Sequence, residues 1–243
     1  MNDTPIRALV TGGSGGIGAA ICRQLGSSGH FVYVHANRGR DAAAAVVSEI
    51  IAAGGQAQAI AFDVTDAAAA RTAIEALTEP QPVQILVNNA GIHDDAVFPG
   101  MRPDQWHRVI DVGVDGFFNV TQPLMMPMIR TRWGRIINIS SVTALAGNRG
   151  QVNYAAAKGA LNAATKALSL EVASRGITVN AVAPGIIATG MSSAAFDPTT
   201  IASLVPMKRA GTTEEVASLV GFLASKQAAY ITGQIISING GMI

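Results

Sequence analysis

The feature that most constrains the fold is an alternation of short apolar runs with longer alanine-rich segments, repeated along all 243 residues. Seven short runs have the composition of β-strands, and most are apolar at consecutive positions. Strands of that kind are buried on both faces, which is typical of a parallel sheet covered by helices. The predicted strands are 7–10, 31–36, 57–62, 84–88, 135–140, 178–183 and 234–238.

Helical periodicity fills the gaps between these strands, and no linker or low-complexity stretch divides the chain. We therefore predict one doubly wound α/β domain over residues 1–243, a Rossmann fold with a seven-stranded parallel sheet and helices on both faces. The irregular stretch 186–212 is predicted to be a substrate loop or lid, with a plain surface insertion as the alternative. The predicted helices are 16–28, 40–53, 67–78, 104–129, 151–174 and 213–224.

Composition narrows the choice of partner. Charged residues make up only 14% of the chain and hydrophobic residues 49%. So few charges leave little material to cover the surface of a monomer, which favours an oligomer. The formal net charge is +1 and no basic run exceeds a few residues, so nucleic acid is not expected as a partner.

The sequence contains no pattern for a membrane or a metal. The opening residues MNDTPIRALV lack a basic region and a long apolar run, and no apolar run approaches a membrane span. Cys22 is the single cysteine, so no intrachain disulfide can form and a cytoplasmic location is expected. No metal site is predicted, because the scattered histidines are expected to be structural or solvent-facing. These are His30, His35, His93 and His107.

A glycine-rich stretch, LVTGGSGGIGAAI at 9–21, follows the first predicted strand and opens the first helix. Glycines allow the backbone to approach a pyrophosphate, which the N–H groups and dipole of the helix start stabilise. The spacing fits two patterns, G-x-G-x-x-G through Gly13, Gly15 and Gly18, or T-G-x-x-x-G-x-G through Gly12, Gly16 and Gly18. Both predict a dinucleotide site.

The end of the second strand indicates which nucleotide. Sites for NAD place an acidic residue there, on the ribose hydroxyls. Here the stretch reads VHANRGRD, with Asn37, Arg38 and Arg40 and no acid before Asp41. Arginine can bind a 2′-phosphate that a carboxylate would repel, so NADPH is predicted. A basic residue at position 15, where this chain has Gly15, would have strengthened that prediction.

Three polar residues in NISSVTALAGNRGQVNYAAAKGAL, at 138–161, predict the chemistry. Tyr154 and Lys158 are four residues apart and share one helix face, while Ser141 follows the fifth strand. A nearby ammonium is expected to lower the pKa of the tyrosine from about 10, so that it can donate a proton to a carbonyl oxygen. Ser141 is predicted to hydrogen-bond that oxygen while the carbon accepts a hydride from a nicotinamide.

At these motifs the chain resembles the short-chain dehydrogenase/reductase family over nearly its whole length. The matching stretches are TGGSGGIG (11–18), DV (63–64), NNAG (88–91), Ser141 with YAAAK, and PG (184–185). The resemblance implies Asp63 and Val64 beside the adenine, Lys158 on the nicotinamide ribose, and Ile187 and Thr189 on the carboxamide. The full predicted cofactor set is Gly12, Ser14, Gly16, Ile17, Gly18, Asn37, Arg38, Asp63, Val64, Asn89, Ala90, Gly91, Tyr154, Lys158, Pro184, Gly185, Ile187 and Thr189.

Within that family the chain looks most like the 3-oxoacyl-acyl-carrier-protein reductases, through GNRGQVNYAAAKGAL, EVASRGITVNAVAPG, AAYITGQ and NGGM. The resemblance implies that Arg132 and Arg175 dock an acidic acyl carrier protein, although each reads equally well as a solvated charge. It also implies a homotetramer in which helices 104–129 and 151–174 pack between subunits. HANRGR, FPGM, MPMI and QIISINGGM further resemble reductases of aryl-polyene pathways.

One position departs from the family. VIDVGVDGF at 109–117 places Gly113 where the resemblance implies the asparagine of a catalytic tetrad. Either water and backbone still complete the proton relay, or the chain binds NADPH and is catalytically impaired, a scaffold subunit. Two alternatives for the substrate of an active enzyme also stay open. One is a 3-oxoacyl thioester on the carrier protein, and the other is a coenzyme A thioester, such as acetoacetyl-CoA, or a free ketone. Acyl chain length, unsaturation and pathway do not follow from the sequence.

Overall fold

Parallel strands form one sheet in the computed structural model, which describes residues 4–79, 81–189 and 197–243. Within those residues the sheet has seven strands in the order β3-β2-β1-β4-β5-β6-β7. The predicted doubly wound Rossmann fold is confirmed. The strands are β1 Arg7–Val10, β2 Phe31–Ala36, β3 Gln56–Ala61, β4 Val83–Asn88, β5 Gly134–Ile139, β6 Ile177–Pro184 and β7 Ile235–Ile238.

Each strand lies within one residue of its predicted position at both ends. The reason is burial: β5 and β6 are buried at every residue, so apolar side chains stand at most of their positions on both faces of the sheet. The edge strand β3 alternates between exposed and partly buried residues over part of its length, as expected for a strand with one free side.

Helices cover both faces of this sheet. One core cluster packs α1, α2 and α9 on one face, and a second packs α3, α5 and α7 on the other. The helices in the described ranges are α1 Gly16–Ser27, α2 Arg40–Ala52, α3 Ala67–Thr78, α4 Pro103–Ile110, α5 Gly116–Thr131, α6 Thr143–Ala146, α7 Val152–Val172, α8 Pro198–Leu204 and α9 Thr213–Ala224, with short 3₁₀ turns at Phe98–Gly100 and Ala173–Arg175.

The helix predicted at 104–129 is present but is not regular along its length. The chain instead forms α4, then a π-helical segment at Asp111–Asp115, then α5. The segment holds one extra residue in its turn, which the weak helix formers of DVGVD allow. The short helices α6 and α8 were also absent from the prediction, because helices of four and seven residues show too little periodicity.

The predicted loop at 186–212 is partly described. Residues 190–196 lie outside the described part of the chain. The remainder contains α8, and Ile187 forms an isolated parallel bridge with Gly211.

The described helices include none that is both long and apolar enough to cross a membrane.

The carboxyl ends of the central strands meet along one edge of the sheet. The strand order reverses between β1 and β4, whose chains run to α1 on one face and α5 on the other. Such a switch point opens a crevice, where open α/β sheets bind their ligands. The glycine stretch follows β1, Asn89 follows β4 and Ser141 follows β5, so the fold brings these predicted residues to one place.

Candidate active site

The glycine loop after β1 has a backbone that side chains could not follow. Gly12 and Gly16 have φ angles of +61° and +52°, in the left-handed region that favours glycine. A Cβ on Gly18 would overlap the carbonyl oxygen of Gly12 and lie 2.6 Å from Nδ2 of Asn89. Gly15 is extended, and a Cβ there would meet nothing within 4 Å. The steric requirement for glycine therefore follows the pattern through Gly12, Gly16 and Gly18.

Side chains at the end of β4 fix this loop to the sheet. The backbone N–H groups of Asn89 and Ala90 both donate to Oγ1 of Thr11, at 3.0 Å. Asn89 Nδ2 donates to the carbonyls of Thr11 and Gly12, at 3.0 and 2.9 Å. The cradle is thus braced by a threonine that the sequence prediction missed, although it lies directly before the first glycine.

A histidine in β2 braces the same loop from the other side. The ring nitrogen Nδ1 of His35 accepts the Gly12 N–H at 3.1 Å, and Nε2 lies 2.9 Å from the Phe62 carbonyl. The Gly13 N–H donates to the His35 carbonyl at 2.8 Å. His35 was predicted to be structural or solvent-facing, and its place in an apolar strand is the signal that could have singled it out as a buried polar residue.

The predicted nucleotide-selecting residues lie at the ends of β2 and β3. Asn37 and Arg38 are exposed beside the cleft. Asp63 accepts the backbone N–H and the hydroxyl of Thr65, and these bonds lower the pKa of its carboxyl, with a smaller contribution from the Arg38 charge. Arg38 and Asp63 are therefore close enough to interact electrostatically, at the side of the cleft where the resemblance implies the adenosine part of the cofactor.

Val64 joins the adenine side of the cleft to α5. Its side chain is buried, and its carbonyl accepts Asn119 Nδ2 at 2.9 Å. A Cβ on Gly116 would lie 2.9 Å from Val64 Cγ2, so Gly116 allows the helix to approach this segment closely. The position of the second glycine in VIDVGVDGF thus has a packing explanation.

Residues after β6 close the other side of the cleft. The Pro184 carbonyl accepts the backbone N–H of Val142, at 2.8 Å, which ties the end of β6 to the chain after Ser141. Gly185 packs against Asn239, where a Cβ would come within 2.8 Å. Thr189 lies beside the glycine loop, since its Cγ2 would be 3.7 Å from a Cβ on Gly16.

The predicted Ser141, Tyr154 and Lys158 come together at the start of α7. The Lys158 Nζ lies 5.6 Å from the centroid of the Tyr154 ring, and Ser141 hydrogen-bonds the tyrosine side chain. Ser141 Oγ also accepts the Thr143 N–H at 3.1 Å, which fixes its direction. The three residues therefore form one polar group at the carboxyl end of β5.

The expected lowering of the Tyr154 pKa by Lys158 is wrong for this geometry. Burial raises the pKa of Tyr154, the hydrogen bond from Ser141 opposes the rise, and the negative charge of Asp95 adds to it. Lys158 donates to the carbonyl of Ile139 at 2.8 Å rather than to the phenol. Tyr154 is therefore a buried acid that holds its proton throughout the neutral range.

Lys158 is 3% exposed, and burial lowers its pKa to about 8. A Cβ on Gly91 would lie 3.1 Å from its Nζ, so the NNAG stretch passes directly over the ammonium. Its neighbour Ala157 contacts the π-helical segment, because a Cβ on Gly113 would lie 3.1 Å from the Ala157 Cβ. Lys158 thus lies where the cofactor cleft meets the helix break.

A polar network that the sequence prediction missed orients the start of α7. Buried Asn153 donates to the carbonyls of Asp94 and Gln105, at 2.9 and 3.1 Å, and accepts the Tyr154 N–H. Gln151 donates to Asp95 at 2.9 Å and accepts the Thr143 hydroxyl at 3.3 Å. Asn153 directly precedes Tyr154 and Gln151 lies three residues before it, but a polar residue at the start of a helix gives no signal of which distant groups it contacts.

The π-helical segment borders a small internal cavity of about 10 Å³. Thr11, Asn88 and Gly113 contribute to its lining together with apolar side chains. That volume is close to the minimum that one water molecule occupies. Gly113, where the resemblance implies an asparagine, therefore lies next to room for a single water.

The two arginines predicted for carrier docking lie at the amino ends of the strands, opposite the end at which the candidate active site lies. Arg132 and Arg175 immediately precede β5 and β6, whereas Ser141 follows β5. Arg132 donates to the Ser174 carbonyl at 3.0 Å, so the arginines are neighbours. Within one protomer they do not border the candidate active site.

Within the described residues, no three His, Cys, Asp or Glu side chains are grouped as ligands of a metal ion. Cys22 is buried beside Gly13, and burial raises the pKa of its thiol. It therefore acts as a small packing residue under the glycine loop.

Comparisons with known proteins agree with this geometry. The family model described as short chain dehydrogenase matches residues 7–199. A 3-oxoacyl-(acyl-carrier-protein) reductase FabG of Aggregatibacter actinomycetemcomitans is 43% identical over 236 residues, covering 96% of this chain and 98% of the relative. One from Staphylococcus epidermidis is 44% identical over 238 residues, covering 97% and 98%.

A solved structure is also similar along nearly the whole chain. It is a crystal structure of a 3-oxoacyl (acyl-carrier-protein) reductase from Agrobacterium tumefaciens C58 with NADP bound. It shares 33% sequence identity and a TM-score of 0.92, and the match covers 97% of this chain and 93% of that one. The likeness therefore extends across the sheet, the cleft and the helices on both faces.

Proposed function

The chain belongs to the short-chain dehydrogenase family, and on that premise we propose that it reduces a 3-oxoacyl thioester on an acyl carrier protein to the 3-hydroxyacyl thioester. It is an NADPH-dependent oxidoreductase. The observation that carries the proposal is the grouping of Ser141, Tyr154 and Lys158 at the open end of a glycine-lined dinucleotide cleft.

The cleft fits the cofactor. Its loop presents glycines where side chains would overlap backbone, the feature that a closely approaching pyrophosphate requires. Arg38 stands exposed at the end of β2, with no acidic residue in the VHANRG stretch around it, where it would hold a 2′-phosphate. Bound there, NADPH supplies the hydride that reaches the carbonyl carbon.

The protein's own groups handle the carbonyl oxygen. Tyr154 keeps its proton at neutral pH because burial raises its pKa, and it donates that proton to the oxygen as the carbon is reduced. Ser141 is held by the Thr143 N–H so that its hydroxyl donates to the same oxygen. Lys158 holds a positive charge 5.6 Å from the centroid of the ring that carries the phenolate, a distance at which it does not outweigh burial in the protein without substrate. The water-sized cavity at Gly113 supports the reading in which water and backbone complete the proton supply.

NADPH oxidation by the purified protein tests this reaction. We expect turnover with a 3-oxoacyl-carrier-protein substrate and NADPH, and a lower kcat/KM with NADH. Tyr154→Phe removes the proton donor and should lower kcat by about 1,000-fold, within the range of general acid catalysis. Binding of NADP⁺ without any turnover by the wild type would contradict the reductase proposal and favour the scaffold reading.

A second comparison separates the carrier protein from coenzyme A. Arg132→Glu and Arg175→Glu should raise KM for the carrier-protein thioester and leave the coenzyme A thioester unaffected, because only the carrier protein is a large acidic partner. Because both arginines lie away from the site of their own protomer, docking there would serve the site of a neighbouring protomer. Equal effects on both thioesters would contradict docking.

We propose a homotetramer on the strength of apolar side chains that α5 and α7 leave exposed. Phe118 and Met126 of α5 are 62% and 54% exposed, and Leu170 of α7 is 84% exposed. Exposed apolar side chains grouped on helices are typical of interfaces between subunits. Light scattering should give four times the chain mass, and Leu170→Glu should lower it. An unchanged mass for Leu170→Glu would place the interface elsewhere.

The pathway and the acyl group are narrower proposals. The likeness to the FabG reductases favours fatty acid biosynthesis in the cytoplasm, and the likeness of HANRGR and FPGM to aryl-polyene reductases favours unsaturated acyl groups. Rates with carrier-protein substrates of increasing length and unsaturation separate the two. A higher kcat/KM for polyunsaturated chains would support the aryl-polyene type, and a preference for saturated chains would exclude it.

A further inference from the structure

His35 makes contacts that fix its protonation state. It is 2% exposed within β2, and its ring is held at both nitrogens. The Phe62 carbonyl can only accept, so Nε2 must carry the ring proton. The Gly12 N–H can only donate, so Nδ1 must be bare. The neutral ring with its proton on Nε2 satisfies both partners, and a ring protonated at both nitrogens would set two N–H groups against each other at Gly12.

The same residue supports two consecutive amides of the glycine loop. Its ring accepts the Gly12 N–H and its backbone carbonyl accepts the Gly13 N–H, at 3.1 and 2.8 Å. The Phe62 ring packs against the imidazole with centroids 4.2 Å apart, so the ring cannot turn away. Gly12 is the first left-handed residue of the loop. The ring therefore bonds the loop where its backbone reverses direction.

We propose that His35 is a positioning residue for the dinucleotide: its neutral ring holds Gly12 in the conformation that shapes the phosphate cradle, and protonation of the ring releases the loop and weakens cofactor binding. This inference rests on the NADP site of the proposed function. It adds a residue that touches the loop rather than the cofactor, and it gives the site a dependence on acid pH.

The charges around the ring are few. Burial lowers the pKa of His35, while the Phe62 carbonyl and the negative charge of Asp63 oppose that shift. Arg38, after β2, acts on Asp63. The Cys22 thiol of α1, which lies under Gly13, stays neutral because burial raises its pKa. The ring is therefore neutral at physiological pH and gains its second proton only below its ordinary range.

Two substitutions separate the two ring nitrogens. In His35→Asn the side-chain oxygen falls near the position of Nδ1 and can still accept the Gly12 N–H. In His35→Gln the amide falls near Nε2, so it retains the Phe62 contact and loses the bond to Gly12. Calorimetric titration with NADP⁺ at pH 7.5 should give a Kd within about threefold of wild type for His35→Asn, and about tenfold weaker for His35→Gln, the loss of one hydrogen bond.

The affinity for NADP⁺ at acid pH provides a second measurement. The Kd of wild type for NADP⁺ should rise more between pH 7.5 and 5.5 than that of His35→Asn. The cofactor's 2′-phosphate also titrates near pH 6, but it does so equally in both proteins and cancels in the comparison. Equal pH dependence in the two proteins, or wild-type affinity in His35→Gln, would overturn the proposal.

The wild type alone provides a third arm if either variant fails to fold. By linkage, NADP⁺ must lower the pKa of His35 measured by NMR, whereas simple attraction to the phosphates would raise it. A raised pKa would contradict the proposal. All three arms measure binding without an acyl substrate, so failure of the reductase activity leaves them intact. A wild type that does not bind NADP⁺ would instead overturn the proposed function itself.

Discussion

Glycine serves two different purposes on the two sides of the candidate active site. In the loop after β1, Gly12 and Gly16 are left-handed and a Cβ on Gly18 would overlap a backbone carbonyl. In the π-helical segment, Gly113 has no such backbone, and a Cβ there would meet only the Ala157 side chain at 3.1 Å. The loop requires glycine because the backbone atoms that a side chain would meet cannot move aside. In the π-helical segment, the size of the residue at position 113 is limited only by the methyl group of Ala157. Substitutions at the two places should therefore differ sharply.

Gly18→Ala should have the largest effect. Its Cβ would push the Gly12 carbonyl out of the cradle, which should lower the free energy of unfolding by about 3 kcal/mol and weaken NADP⁺ binding by about 100-fold. Thermal unfolding and calorimetry measure the two effects. Gly15→Ala is the matched control in the same loop, and it should change the free energy of unfolding by less than about 0.5 kcal/mol. Similar losses of stability and NADP⁺ affinity in both variants would show that Gly18 is no more constrained than Gly15.

Raising the pH should affect the residue between the two segments. Lys158 loses its proton as the pH rises through about 8, while the raised pKa of Tyr154 keeps the phenol protonated. The free-enzyme kcat/KM for reduction should therefore be constant below pH 8 and fall about tenfold per unit above it. A pH–rate profile measures this limb. A profile that stays flat to pH 9.5 would show that the charge on Lys158 is not required.

Gly113→Ala should have a moderate effect. Ala157 belongs to α7 and cannot retreat freely, so the added methyl group should lower the free energy of unfolding by about 1 kcal/mol. Combining it with Ala157→Gly should recover most of the contact penalty, measured as a coupling energy in a double-mutant cycle. Purely additive effects would show that Ala157 does not set the limit at this position.

Gly15→Arg should have the smallest effect and the opposite sign. The position is exposed, extended and open, so an arginine fits without strain beside the phosphate loop. A charge-assisted bond to the 2′-phosphate should tighten NADP⁺ binding by about threefold to tenfold and leave NAD⁺ binding nearly unchanged. An equal gain for both nucleotides would indicate a general effect of charge rather than recognition of the 2′-phosphate.

Continuous apolar runs made the sheet predictable. β4, β5 and β6 read as strands because they are buried between two helical layers, and the polar exceptions Asn88, Asn138 and Asn180 did not hide the pattern. Their side chains are paired across the core, Asn88 with Asn138 at 2.9 Å and Asn180 with the Ile231 carbonyl. Periodicity could not show that pairing, since it depends on which strands become neighbours.

The site residues were predictable where their positions follow from the local sequence, at the ends of strands or at helical spacing. The loop glycines, Ser141, Tyr154 and Lys158 are recognisable because strand ends and helix spacing bring them together. His35, Gln151 and Asn153 act through contacts between distant parts of the chain, and local pattern gives no sign of these. The expected lowering of the Tyr154 pKa was wrong for a related reason: the sequence spacing to Lys158 suggested a charge effect, whereas burial is the largest influence on the pKa in three dimensions.

The π-helical segment also determines which changes of chain length the fold can accept. Each residue of an α-helix turns the chain by about 100°. The π turn already takes up one extra residue, so deleting one residue from Asp111–Asp115 should restore a regular helix and leave α5 facing the sheet as it does now. A deletion near the start of α5 has no such turn to absorb it, and it would rotate the following residues by about 100° and carry the buried Val120 and Leu124 away from the sheet. The π-helical segment is therefore the place where this long helix accepts a change of length that its regular turns do not.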